Sequence, residues 1–205
     1  SSEKLFWIEK TPLNELFIQD ILKKWPHAKF IHMIRDPRDV HASIRKRSDF
    51  PLKVRTTYHN WLRSIQAKTI NQMRYPDQCI TLRYEDLVVD TDACILKICD
   101  FLKIENEDVL KTPTLSGGMF PWKGNSLGGE KKSIDSDALS RWKTFEPQSE
   151  VRLMEALAEN AMKALGYKID REPTIKYQIQ ALRERLVLVF KKVRQLFIGD
   201  PAGTY

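Results

Sequence analysis

The sequence predicts an α/β domain, a largely parallel sheet flanked by helices, and three observations predict it. Two short apolar runs, Lys29–Ile34 and Cys79–Arg83, have the length of strands. Each gives way to a charged turn and then to a segment of helical period. A long helical stretch separates them, and strands that alternate with helices favour parallel pairing.

Each element has its own justification. Leu13, Leu16, Phe17, Ile21 and Trp25 recur at helical spacing behind Thr11-Pro12, a cap and first-turn signal, so a helix is expected there. Asp36-Pro37 breaks the first strand, and Arg38–Arg47 reads as the helix that follows. A longer helix is expected from about Thr56 to Arg74, with Tyr58, Trp61, Leu62, Ile65 and Met73 inward. After the second strand comes Tyr84-Glu85-Asp86, then a helix with Ile95, Ile98, Cys99 and Leu102 on one side. Residues 111–135 hold five of the eight glycines and read as a long loop, the kind that is functional or mobile in compact domains. Val151, Met154, Leu157, Ala158, Ala161 and Leu165 form the stripe of a further helix that Gly166 stops. Pro173 marks an expected boundary between a domain over 1–170 and a helical extension over 171–205. In that extension Ile179, Leu182, Leu186, Val189, Val193 and Leu196 step by three and four, an amphipathic helix with a basic opposite face.

Bulk properties narrow the class. The 205 residues suffice for one domain with a sizeable core, and 42% hydrophobic with 30% charged residues is ordinary for a soluble globular protein. No apolar run approaches the roughly 18 residues of a membrane span, and nothing at the N-terminus reads as a signal peptide. Ser1 to Trp7 lead straight into structured-looking sequence, so the start is expected to be a cut, and cytoplasm is only the default compartment. The net charge is +7 and clustered: residues 27–63 carry nine Lys/Arg against three Asp, and residues 171–205 carry seven against three acids. Such clusters suit an anionic partner, although from charge alone a solvated basic face is the better account of them. Cys79, Cys94 and Cys99 are odd in number and lie in apolar surroundings, so they read as core thiols. No Cys/His spacing suggests zinc, and His27, His32, His41 and His59 are scattered through one basic region; no metal site is expected.

The segment Lys29–Arg47 concentrates the chemistry. A strand that ends in Arg35 places a cation at the carboxyl edge of the sheet, where α/β folds bind ligands. The first turn of the next helix offers unpaired N–H groups to an anion, and Pro37 suits its start. Ser43 and Arg47, four apart, share one helical face, so Arg35, Ser43 and Arg47 can converge on one phosphate. An exposed Arg/Asp-rich helix with surface ion pairs explains the same residues as well.

Arg35-Asp36-Pro37-Arg38-Asp39-Val40, with Ser43 eight residues after Arg35, resembles the 3′-phosphate-binding segment of sulfotransferases that use 3′-phosphoadenosine 5′-phosphosulfate (PAPS). Thr81–Leu87 is similar to that family's second core strand, whose terminal tyrosine, matched by Tyr84, contacts the adenine region. Glu9-Lys10-Thr11-Pro12 resembles the Lys-Thr/Ser-Pro element of carbohydrate and bacterial members, which implies Lys10 as the catalytic cation beside the sulfuryl group. Lys123–Ser126 with Leu139–Lys143 resembles the distal cofactor loop of tyrosylprotein-type enzymes, which implies cofactor contacts from Ser126 and Arg141. The Arg47 match fits the same subgroup, and Ala164–Tyr167 resembles the family's usual helix end. The resemblance covers about residues 5–170 and implies a partial P-loop-NTPase-like sulfotransferase fold.

What the resemblance also implies, and the residues do not supply, is a small-residue loop that cradles the 5′-phosphosulfate. No glycine precedes Gly117 and no Lys-Ser-Gly-Thr-like run occurs, so that loop is expected upstream of Ser1. No general base can be named; Glu9 is the nearest carboxylate, and Thr11 or Pro12 stands where small-molecule members have a histidine.

The resemblance thus implies sulfuryl transfer from PAPS to a hydroxyl or amine of a small molecule, glycan or protein, with adenosine 3′,5′-bisphosphate as product. Catalysis would rest on positioning and charge stabilisation. Residues 111–135 are the expected lid. The alternatives are an inactive relative or a basic module binding nucleic acid or other anions, although no nucleic-acid motif is present. Residues 174–197 are expected to pack on their own domain, or to meet a partner or an anionic membrane surface.

Overall fold

The computed structural model describes residues 7–47, 53–111, 114–115, 120–121, 139–145, 147–170 and 173–198. The chain forms two compact units, the first from residues 1–35 and 63–136, the second from 36–62 and 137–205.

In the first unit, β1 (Phe30–Ile34) and β2 (Cys79–Arg83) pair in parallel, Phe30 opposite Cys79 and Ile34 opposite Arg83. Both strands lie within a residue of their expected bounds. Ile34, Leu82 and Cys79 from the strands, Ile18 from α1 (Ile18–Lys24) and Cys94, Ile95 and Cys99 from α5 (Thr91–Leu102) are buried in it. Asp90 caps α5 by accepting from the Ala93 N–H at 3.1 Å. Between β2 and α5 the chain makes a short helix, α4 (Tyr84–Val89), which takes in Tyr84-Glu85-Asp86. Within 111–135 the described residues include a two-residue antiparallel ladder, β3 (Thr114–Leu115) with β4 (Phe120–Pro121).

Two sequence expectations fail here. No helix starts at Thr11-Pro12: Leu13 takes a left-handed φ of 75°, a 3-10 turn follows at Asn14–Leu16, and α1 begins only at Ile18. The left-handed residue re-aims the chain, so Leu13, Phe17 and Trp25 stay largely exposed and Ile18 is buried instead. Met73, expected inward, is exposed near the end of α3 (Val54–Arg74), beyond the reach of the packed part of that helix.

α3 runs through both units, residues 54–62 in the second and 63–74 in the first. The second unit contains α2 (Pro37–Arg47), α6 (Gln148–Ala164) and α7 (Ile175–Ile198). Its core is α6, where Val151, Met154, Leu157, Ala158 and Met162 are buried, joined by Val54, Tyr58 and Trp61 of α3, Ala42 of α2 and Trp142. Gly166 ends α6 at φ 76°, and the Tyr167 N–H returns to the Met162 carbonyl at 2.9 Å, the closure its glycine foretells. α7 docks on α6, as expected, but through a different face from its apolar stripe.

The cysteines are free and buried, as core thiols. Burial pushes the Cys79 and Cys94 thiols up from their ordinary value. Burial likewise pulls the His32 imidazole down, against the opposing charge of Glu15, and its Nε2 lies 3.0 Å from the Ser64 hydroxyl.

Candidate nucleotide site

Parallel register decides the first half of the site. Because Ile34 stands opposite Arg83, the next residues, Arg35 and Tyr84, leave the ladder side by side at its carboxyl edge. There the Arg35 guanidinium lies over the Tyr84 ring, 4.6 Å from its centroid. A fork of donors and an aromatic face are thus presented together where α/β sheets take ligands.

In the second unit the candidate residues lie on α2 and beside it. Asp36 precedes the helix, and its carboxylate accepts from the Arg38 N–H at 2.9 Å while its carbonyl accepts from Val40. Pro37 takes the first helical position. Ser43 lies two turns into α2 and is half-buried. Arg47 is the last residue of α2, and its side chain falls outside the described residues. Ser126 also lies outside them. Arg141 opens a 3-10 turn, Arg141–Lys143, that packs on α2. Lys10 is exposed, in an irregular segment where the Thr11 hydroxyl donates to the Glu9 carboxylate. The structure therefore brings Arg35 and Tyr84 together in the first unit, and joins the elements of Ser43 and Arg141 in the second.

The pattern Asp36-Pro37-Arg38-Asp39 is not the solvated face that the sequence equally allowed. Asp36, Arg38, Asp39 and His41 are all buried. Arg38 donates to Asp36 Oδ2 at 2.7 Å, to Glu155 Oε1 at 2.7 Å and to the Lys168 carbonyl at 3.0 Å. Its guanidinium stacks 3.8 Å from the centre of the Trp142 ring. Burial pulls the Arg38 pKa down, but hydrogen bonds and charge from Asp36 and Glu155 outweigh it and hold the group above the ordinary arginine value. Glu155 completes its own pairing with Arg152 at 2.9 Å. His41 bridges the Thr57 hydroxyl and Glu150, and Arg45 reaches the same Glu150 oxygen at 3.1 Å.

Asp39 has a further consequence. One carboxylate oxygen accepts from the Ser140 N–H at 2.9 Å and the other from the Trp142 N–H at 3.0 Å, on either side of Arg141. Ser140 is held in a left-handed conformation, φ 56°, a cost of about 1 kcal/mol that the clamp offsets. On the far side of the turn, the Gln148 amide donates to the carbonyls of Trp142, Lys143 and Phe145. Asp39→Asn leaves one backbone N–H facing an NH2 donor. It is expected to lower stability by about 2 kcal/mol, read as a fall in the thermal unfolding midpoint. An unchanged midpoint would show that the clamp carries no weight.

Asp36, Arg38, Asp39, Gln148 and Glu155 are the structural partners that sequence reasoning missed. The available signal was Glu155, an acid within the otherwise apolar run Leu153–Ala158, which calls for a buried cation. Ion pairs also absorb Arg38, Arg45 and Arg55 of the 27–63 cluster, so its positive excess is partly neutralised inside the unit.

Comparison with known proteins gives the family. Protein-tyrosine sulfotransferase 1 of Danio rerio is 31% identical over 177 residues, covering 80% of this chain and 49% of the relative. Protein-tyrosine sulfotransferase A of Caenorhabditis elegans is 31% identical over 176 residues, 78% of this chain and 42% of the relative. Among solved structures, the sulfotransferase domain from the curacin biosynthetic pathway superposes with a TM-score of 0.49 at 22% identity, covering 69% of this chain and 54% of that one. The chain spans about half the length of the curated relatives it matches. The profile of the sulfotransferase family matches residues 1–108, more than half of the 205, and the chain belongs to that family.

Proposed function

We propose that this chain binds the 3′-phosphoadenosine end of PAPS and serves sulfuryl transfer to an acceptor hydroxyl. The observation that carries the reading is the Arg35–Tyr84 pair at the carboxyl edge of the parallel ladder. The pair fits that end of the nucleotide: the guanidinium fork matches a phosphate bidentately, and the ring offers a surface for a base. In the second unit Ser43 and Arg47, four apart on α2, are a hydroxyl and a cation of the kind that a 3′-phosphate takes. Arg141, held by the Asp39 clamp, and Ser126 supply the remaining cofactor contacts.

PAPS, when bound, supplies the activated sulfuryl group. Lys10, exposed ahead of the first 3-10 turn, answers the charge on that group. No residue of this chain is assigned to the 5′-phosphosulfate. The names of the relatives favour a protein tyrosyl hydroxyl over an amine as the acceptor.

Titration calorimetry with adenosine 3′,5′-bisphosphate and adenosine 5′-monophosphate tests the reading. The bisphosphate is expected to bind more tightly, and Ser43→Ala to weaken it about tenfold while leaving the monophosphate unchanged. Equal affinity for both nucleotides in the unsubstituted protein would sink the assignment.

A further inference from the structure

α7 has two faces with different fates. Tyr177, Ala181, Arg185 and Leu188 follow one another at helical spacing on the docked side. Ala181 is 2% exposed, and the Arg185 guanidinium donates to the Ala156 and Leu157 carbonyls of α6 at 2.9 and 2.7 Å. Beside them Glu184 is ion-paired with Arg55 at 3.0 Å.

The stripe Ile175, Ile179, Leu182, Leu186, Val189 and Phe190 points elsewhere, roughly 140° around the axis at about 100° per residue. Ile175 is 74%, Leu182 57% and Phe190 69% exposed. The stripe is about 22 Å long, and none of the described residues covers it. This is the stripe that the sequence marks as the apolar side of an amphipathic helix, left open because the docked side is won by a small residue and an arginine.

Charge indicates what covers it. Residues 174–197 carry six Lys/Arg and a single acid, Glu184, which Arg55 already holds. Lys176 and Arg183 border the stripe, and with Ile179, Gln180 and Glu184 they line a concavity along that margin. A second copy of the helix on this stripe would bring Lys176 and Arg183 of each against the other, and the one acid of 174–197, Glu184, is already paired. Among the described residues no helix is long and apolar enough to cross a membrane.

We propose that the outward stripe of α7 lies in the plane of an anionic lipid surface, its apolar side chains at the acyl boundary and Lys176 and Arg183 among the headgroups. This inference is independent of nucleotide binding.

The test is vesicle flotation of the full chain at 0.1 M salt. The probes are vesicles of phosphatidylcholine alone and of phosphatidylcholine with 30% phosphatidylserine. The chain is expected to float with the anionic vesicles at least tenfold more tightly than with the neutral ones. Leu182→Glu with Leu186→Glu should abolish flotation while leaving circular dichroism and the unfolding midpoint unchanged, since both residues face outward. Lys176→Gln with Arg183→Gln should weaken anionic binding by about fivefold per charge. No flotation of the unsubstituted chain, or flotation undiminished by the leucine substitutions, overturns the proposal. So does a dimer in light scattering that Leu182→Glu dissociates while vesicles stay unbound.

Discussion

Arg38→Met is expected to destabilise the protein by about 3–5 kcal/mol, the largest effect of any single substitution considered, because it leaves buried charge unanswered. In the folded chain Arg38 stands between Asp36 and Glu155, each at 2.7 Å, and Glu155 is fully buried. Removing the cation takes the guanidinium away from Asp36 and leaves Glu155 with Arg152. For a chain of this size the midpoint of thermal unfolding should fall by about 10 °C. The sign of a second substitution separates charge from packing. Glu155→Met in the Arg38→Met background removes a fully buried carboxylate that has lost one of its two cations, so it should restore part of the loss although Glu155→Met alone is destabilising. Strictly additive effects, read from denaturant unfolding of all four proteins, would show that the stack on Trp142, and not the ion pairs, carries the contribution of Arg38.

Arg35→Ala is expected to leave the fold intact and to weaken adenosine 3′,5′-bisphosphate binding by about a hundredfold, the cost of roughly two charge-assisted hydrogen bonds. The side chain follows β1 and lies on the Tyr84 ring. Arg35→Lys keeps the charge but loses the planar fork and the ring stack, so it should fall between the two. Calorimetry with the three proteins at one ionic strength makes the comparison, because phosphate contacts weaken with salt. Affinity unchanged by Arg35→Ala would remove the central contact from the proposed site.

These two arginines, three residues apart, also mark how far the sequence could be read. β2 was legible to the residue, and β1 and α2 to within one, because apolar runs and Asp-Pro punctuation are local signals. Arg35 at a strand end was legible for the same reason. Arg38 was not, because its burial is decided by Glu155, 117 residues away in the chain. Asp39 was hidden in the same way, since its clamp closes on backbone N–H groups of Ser140 and Trp142, which carry no side-chain signature. The left-handed turn at Leu13 was illegible from another cause: a leucine gives no warning of a positive φ, so Thr11-Pro12 read as the start of a helix. In α7 the period was plain, but which stripe would dock depended on the carbonyls that α6 offers to Arg185.

The three buried cysteines, Cys79, Cys94 and Cys99, all belong to the first unit. Alkylating reagents attack the thiolate, and burial disfavours that form at Cys79 and Cys94 while excluding the reagent. Modification therefore waits for the strands and α5 to part, and its rate reports how often they do. Trp61 and Trp142 report on the second unit by fluorescence once Trp7, Trp25 and Trp122 of the first are replaced by phenylalanine. Such a chain carries two separate clocks, one chemical and one optical, whose agreement or divergence in denaturant would tell whether its units come apart in a single event.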